Sequence, residues 1–576
     1  MLVSLRMSLG TALNQSNSTE LKMRITTVLL PVLAAIIAPV QNARILGVFP
    51  FPGRSHMITF SALTEALAER GHELVVVSTY PSKNPPGNYT DINTYPDLKE
   101  MYNEIMNNDQ IYNFEDIPTF LLPHIFYWTE GIRAVKLTFK NKDVKKLLKD
   151  DRGFDLVISE DFACDAVFAF SYYLKAPLIL ISSFGGFHWQ NYAFGNPYNP
   201  SYAVNNLLEY GAKKNFQQRL MNTLFTWYWD IASEIFYYPA QERLKEEFFG
   251  PGLPSLKELR KSASLGFVNN HFSLSYPRPL VPAIVEVGGM HVKAPKENLP
   301  EKAELMPESM RKALLDAFAQ IPQRVLWKYE SEELPGKPDN VMISPWVPQM
   351  EVLAHPNVKL FITHGGLLSG QEAMYNGLPV VGIPVFGDQK MNVQRSVDLG
   401  YGVMLSLKNI TKESVLQAIN KGLHCPKIRA EIKRRQKVFL DQPESPLERA
   451  VFWTEYVIRH EGAAHLRSAA LDLKCAQESK RTSVTKLRKN RKRIKAHIWR
   501  PQSHRRSLQP ARKSTAEQQL CFSSIDGHQP DMTSRPAEKA FLPAAILSAD
   551  GGKSKTGLIG SATPLSLRLI ELFVSG

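Results

Sequence analysis

The 576-residue chain has only four cysteines, Cys164, Cys425, Cys475 and Cys521, and no two of them stand at a pairing spacing. That excludes a disulfide framework and a zinc site built on close cysteine pairs, and the thiols read as structural. Long hydrophobic runs are missing as well. A bilayer span needs ~20 apolar residues, whereas the uncharged run over 25–40 holds 16. Neither the G-x-G-x-x-G dinucleotide fingerprint nor the G-x-x-x-x-G-K-[ST] phosphate loop occurs, which disfavours hydride transfer and nucleotide hydrolysis. Acidic residues are in deficit, 55 against 69 Lys and Arg, for a net charge of +14. A spread-out excess would suggest a nucleic-acid partner, but residues 471–513 alone hold 15 basic and 2 acidic residues. With few aromatics to stack on bases, that run reads as a solvated tail, and no nucleic-acid partner is expected.

The rest of the chain, 44% apolar overall, is long enough for two or more cored domains. Residues 1–43 read as an N-terminal extension and signal peptide. Lys22-Met23-Arg24 is a basic flank, 25–40 an uncharged core, and Ala43 a small residue before Arg44. Entry into the secretory lumen would make Asn88-Tyr-Thr90 and Asn409-Ile-Thr411 glycan acceptors. A first α/β series follows over 44–289. Its strand over 45–49 runs into a turn ending at His56. A helix then has Met57, Phe60, Leu63 and Leu67 on one face, and a buried strand follows over 74–77. A strand from residue 154 ends in the adjacent carboxylates Glu160 and Asp161, and the next strand is expected over 178–181. An aromatic segment over 184–249 reads as core and lid packing or as the lining of an apolar ligand site. A linker over 293–300 leads into a second α/β series within 290–466. This has a helix over 309–320, strands over 325–327, 341–343, 360–363 and 380–383, and closing helices over 426–440 and 446–460. Residues 467–576 read as a basic, disordered tail.

The second series carries the chemistry. His364-Gly365-Gly366 follows a strand directly and opens a helix that Gly377 should end. Glycines there let backbone amides approach a ligand closely, and a helix N-terminus favours anions, so a diphosphate is the natural occupant, with His364 donating to a phosphate oxygen. Glu372 can accept from ribose hydroxyls, with Ser369 on the same helix. Asp388 and Gln389, after the next strand, suit sugar hydroxyls. Trp346 and Gln349 offer a flat face and an amide to a planar base.

The spacing Trp346-x-x-Gln349, His364-Gly-Gly, Glu372, Asp388-Gln389 resembles the signature of the UDP-glycosyltransferases. The flanking stretches 51–56, 322–328 and 445–453 resemble the insect members in particular. The resemblance covers roughly 43–471. It implies a GT-B fold, an α/β architecture of two Rossmann-like domains facing a cleft, one taking a lipophilic acceptor and the other a UDP-sugar as co-substrate. It also implies that His56 is the general base of an inverting hexosyl transfer, with glucose favoured, and that Glu160 or Asp161 holds the resulting imidazolium. No metal or other cofactor is expected, since the sequence has no Asp-x-Asp pair for a cation. Partners implied are the UDP-sugar, a small lipophilic acceptor and, as oligomers, copies of the chain or related enzymes. The setting implied is the endoplasmic reticulum lumen, in a detoxifying role.

Two features depart from the family pattern. Where members carry a strand and a Ser-Gly-Ser-type turn that touches the phosphates, residues 293–307 show no strand. A basic tail also stands where members carry a membrane anchor. A sheet lacking a central strand would leave neighbouring backbone groups unpaired, so a second reading is an altered, catalytically impaired form that acts as a non-catalytic binding partner.

Overall fold

A computed structural model describes residues 42–106, 118–211, 213–292, 306–329, 331, 333–473 and 571–575. The signal-like run over 25–40, the linker over 293–300 and the basic run beyond Leu473 lie outside the described residues.

Seven short, largely buried runs form the first sheet: β1 (Arg44–Phe49), β2 (Glu73–Ser78), β3 (Tyr89–Asn93), β4 (Leu156–Glu160), β5 (Leu178–Ser182), β6 (Leu265–Val268) and β7 (Ile284–Glu286). All pairings are parallel, in the order β3-β2-β1-β4-β5-β6-β7. The second sheet contains β8 (Val325–Lys328), β9 (Val341–Ser344), β10 (Val358–Thr363), β11 (Val380–Gly382), β12 (Gly402–Met404) and β13 (Glu571–Ser575), in the order β12-β11-β10-β13-β8-β9. These are the two Rossmann-like halves of the expected GT-B fold. In each, the chain reverses its direction of travel across the sheet, beside β1 in the first and β10 in the second, and such switch points open a ligand crevice at the strands' carboxyl ends.

Among the helices, α1 (Arg54–Glu69) follows β1, α2 (Phe216–Ala232) carries much of the aromatic segment, and α3 (Leu256–Lys261) precedes β6. In the second half, α4 (Glu308–Phe318), α5 (Gln349–Ala354), α6 (Leu367–Asn376) and α7 (Gln389–Asp398) connect the strands, and α8 (Pro426–Leu440) and α9 (Pro446–Arg459) follow β12. Local chemistry sets several of these boundaries. Ser445 accepts from the Glu448 amide and Pro446 takes the first helical position at the start of α9, while Gly377 closes α6 at a left-handed φ of 64°. On α1, Met57, Phe60, Leu63 and Leu67 are all buried against the first sheet.

The structure revises three expectations. First, α9 does not stay with the second half. Its buried Ala450, Val451 and Val457 join the core around β1 and α1, and Glu455 pairs with Arg70 at 2.5 Å. The apolar face of α9 finds its cover on the first sheet, so the boundary of the second domain is not continuous in sequence. Second, ordered chain continues past residue 466 to Leu473, with Arg467 donating to the Lys261 carbonyl at 2.9 Å. Third, a tail without elements does not describe its last residues. β13 lies between β8 and β10, antiparallel to both. Leu572, Phe573 and Val574 are each no more than 2% exposed, and a fully buried apolar side chain of this size is worth roughly 1.5–3 kcal/mol.

One glycan expectation also changes. The Asn88 amide donates at 2.7 Å to both the Ala68 and His72 carbonyls, so it is committed to the fold. Asn409 is exposed.

Candidate active site

β1 and β4 are neighbours, with Val48 opposite Ser159, so the turn after β1 and the residue ending β4 emerge side by side. His56 sits in the first turn of α1, and its Nδ1 lies 2.5 Å from Oε1 of Glu160. Ser183 Oγ donates to the same oxygen at 3.5 Å. Glu160 is fully buried, and Oε2 has no hydrogen-bond partner among the described residues. Burial pushes its pKa up, opposed by His56 and Ser183. Phe51 stacks on the His56 ring at 5.3 Å, and Phe162 and Phe184 meet it edge-on at 5.6 and 5.0 Å. An imidazole oriented by a carboxylate inside an aromatic collar can accept a proton from an apolar molecule's hydroxyl group.

The choice between the two carboxylates falls to Glu160. Asp161 accepts from Arg260, which also bonds Asp165 at 2.5 Å. Burial raises the Asp161 carboxyl to about 6, with Arg260 opposing. Its place in the fold is to anchor α3, and it does not touch His56.

In the second half, Gly365 takes φ +82°, and a Cβ there would come within 2.2 Å of Val393 Cγ2. A Cβ on Gly366 would lie 2.4 Å from His364 Nε2, so the imidazole folds over a residue that must stay bare. Burial, with Lys328 adding, lowers the His364 pKa to about 4, which keeps the ring neutral near pH 7. Its buried Nδ1 has no protein partner among the described residues. Gln349, at the start of α5, donates to Ser369 Oγ at 3.2 Å and to Glu372 Oε2 at 2.6 Å. His291 Nε2 lies 3.5 Å from the other Glu372 oxygen. Trp346, on the loop before α5, is 38% exposed, leaving its face open to stacking. Asp388 accepts from Asn392 at 2.9 Å, and Asn392 also reaches the Gly365 carbonyl at 3.2 Å. Gln389 Oε1 accepts from the Val385 and Phe386 amides at 2.8 and 3.1 Å, which fixes the turn.

The two halves meet at this turn. Burial raises the Asp388 pKa while the nearby His56 lowers it, and Leu122 and Phe126 of the first half pack on Val385. A small cavity of ≈ 40 Å³ lies between the halves, lined by Asn269, Gly365, Gly366, Gln371 and Arg395 among others. Sequence reading had Phe184 at the head of an aromatic segment that could line an apolar site, but it missed Phe51 and Phe162 as partners of the His56 ring, and it missed His291. Phe51 and Phe162 lie within five residues of His56 and Asp161, so proximity to strand ends was an available signal. His291 gave none.

The chain matches the UDP-glucoronosyl and UDP-glucosyl transferase family over residues 45–309 and 303–479. It belongs to that family. It is 37% identical over 474 residues to the UDP-glycosyltransferase UGT5 of Dactylopius coccus, covering 77% of this chain and 88% of that protein. It is 34% identical over 484 residues to UDP-glucosyltransferase 2 of the same organism, covering 78% and 90%. The human UDP-glucuronosyltransferase 2B7 is 30% identical over 461 residues, covering 73% and 85%. Among solved structures, the calicheamicin glycosyltransferase CalG4 aligns at a TM-score of 0.47 and 17% identity over 73% of this chain and 99% of that one. The protein is thus a UDP-glycosyltransferase, an enzyme that uses a UDP-sugar as co-substrate. The two family matches meet at 303–309, beside the region where the strand and its turn were missed in the sequence. No helix among the described residues is long and apolar enough to cross a membrane.

Proposed function

We propose that this UDP-glycosyltransferase moves glucose from UDP-glucose to a hydroxyl group of a small lipophilic acceptor, inverting the anomeric carbon. The observation that carries the reading is the His56–Glu160 contact at 2.5 Å inside an aromatic collar. With Nδ1 given to Glu160, Nε2 is the nitrogen left to take the acceptor's proton. The freed oxygen attacks the anomeric carbon, the bond from that carbon to the phosphate oxygen breaks, and UDP leaves. Glu160 stabilises the imidazolium, as the carboxylate does in histidine-based triads.

In the same reading the α6 N-terminus, Gly365, Gly366 and neutral His364 receive the diphosphate. Trp346 and Gln349 hold the base, Ser369 and Glu372 the ribose side, and Asp388 and Gln389 the hexose hydroxyls. Gln349 reaches Glu372 already, so the two are positioned together before UDP arrives. The collar accounts for an apolar acceptor, and the setting proposed is the secretory lumen, in a detoxifying role, with Asn409 the glycan acceptor. The place between β8 and β10 is occupied by β13, which supports the catalytic reading over the non-catalytic one, although among the described residues β13 brings no Ser-Gly-Ser-type turn to the phosphates.

The test is to incubate purified protein with UDP-glucose and a panel of phenols, with UDP-glucuronate and UDP-galactose as alternative donors, and to follow product by chromatography. Glucosides are expected from the wild type and a loss of at least about 100-fold from His56→Ala, the range of general-base contributions. Transfer persisting unchanged in His56→Ala would sink the mechanism.

A further inference from the structure

Every pairing in the second sheet is parallel except those made by β13. β8 and β10 do not pair with each other. Between them lies a strand drawn from far along the chain, which pairs Leu572 with Trp327, Phe573 with Leu326 and Val574 with Val325 on one side. On the other side, Leu572 lies opposite Ile362, Phe573 opposite Phe361 and Val574 opposite Leu360. Its side chains alternate between two cores. Leu572 and Val574 join the cluster of Phe318, Trp327 and Ile362, while Phe573 stacks on Phe361 with ring centres 5.2 Å apart and 19° between planes. Remove the strand and two central strands each present a row of unpaired N–H and C=O groups, with both core layers open beside them.

We infer that the slot between β8 and β10 is a strand-acceptor site and that its ligand is the chain's own segment Glu571–Ser575. The class of ligand is an extended apolar peptide, held by main-chain hydrogen bonds on two edges and read by alternating pockets that take aliphatic side chains on one face and an aromatic one on the other. Direction matters as well. Glu571 lies opposite Thr363, the residue before His364, so the segment enters the sheet at the end where the glycine turn stands and runs inward from there. The C-terminal segment is thereby a structural part of the half that carries His364, although residues 474–570 separate it from the rest of that half.

The test uses the full chain with a specific protease site introduced within 514–563. After cleavage, the fragment ending at Gly576 is expected to stay with the body through native size exclusion, at the mass of one chain. A labelled synthetic peptide of residues 566–576 in excess is expected to exchange with it, and a scrambled peptide is not. Phe573→Asp in the full chain is expected to weaken retention about 100-fold or more, the equivalent of losing a buried aromatic side chain. A wild-type fragment that separates while the body keeps its melting temperature, with no labelled peptide bound, overturns the inference. So does a complex of twice the mass before cleavage, which would mean that a second copy supplies the strand. None of these readouts needs a UDP-sugar, so failure here is distinct from failure of the transferase reading.

Discussion

Replacing Glu160 by Gln tests the His56 pair with the least change in shape. The side chain keeps its length and an acceptor oxygen but loses its charge. In the wild type, the imidazolium formed when His56 takes the acceptor's proton lies 2.5 Å from a fully buried carboxylate. A unit-charge pair near 4 Å at an effective dielectric of about 20 is worth about 4 kcal/mol, which is about 10³ in rate. Gln can also turn its NH₂ toward Nδ1, which would make Nδ1 an acceptor and place the proton on Nε2, the nitrogen that should take the acceptor's proton. Removing the charge of an orienting carboxylate costs about 10⁴ in a histidine-based triad. We therefore expect kcat for glucoside formation to fall about 10³–10⁴-fold in Glu160→Gln, with KM for UDP-glucose within a factor of about two, because Glu160 lies on the first sheet and the proposed UDP contacts on the second. Steady-state assays at saturating acceptor read both constants. A fall in kcat of less than about tenfold, in a variant with wild-type circular dichroism, would refute the pairing as the source of basicity.

Three further outcomes follow from other contacts. Arg260→Met should destabilise the protein by about 3–5 kcal/mol, the cost of leaving a buried ion pair half removed, because Asp161 and Asp165 lose the cation that both bond; urea unfolding measures it. Gly366→Ala places a Cβ 2.4 Å from His364 Nε2, so the ring must move at a cost of roughly 1–3 kcal/mol, and calorimetry should show UDP binding about tenfold weaker or worse. His364 carries a pH signature. Folded, it titrates at about 4, against 6.5 for the ordinary side chain. Between those values the unfolded chain holds the extra proton, so stability falls as pH drops from 6.5 toward 4, by about 3 kcal/mol at most. Across that window His364→Asn should lose correspondingly less stability than the wild type, and parallel losses in urea titrations at pH 7 and pH 4.5 would rule the depressed pKa out.

Much of the architecture was legible because its signals are local. Runs of three to five residues broken by glycine and proline marked β1, β2, β8 and β10 within a residue or two. Proline at the start of α8 and α9 and Gly377 after α6 fixed helix ends through φ preferences that belong to single residues. His364-Gly365-Gly366 was placed at a strand-to-helix turn for the same reason. What the sequence by itself determined, then, is which short segments become strands and helices and which polar residues stand at their junctions.

Tertiary structure decided the rest, for reasons of pairing and side. Glu160 and Asp161 are neighbours at a strand end, and adjacent residues there point to opposite faces, so which carboxylate reaches His56 depends on where β1 and α1 lie. Asn88 fits a glycan motif in three letters, yet its amide is consumed by two carbonyls 16 and 20 residues away. The apolar face of α9 has the same periodicity whichever sheet it covers, and only the fold shows that it returns to the first. Most of all, Leu572-Phe573-Val574 is as long as the runs over 325–327 and 341–343, yet at the end of a basic, polar stretch it does not announce a strand. It becomes one because β8 and β10 offer two unpaired edges and two open core layers, a complementarity that exists only after the rest of the chain has folded.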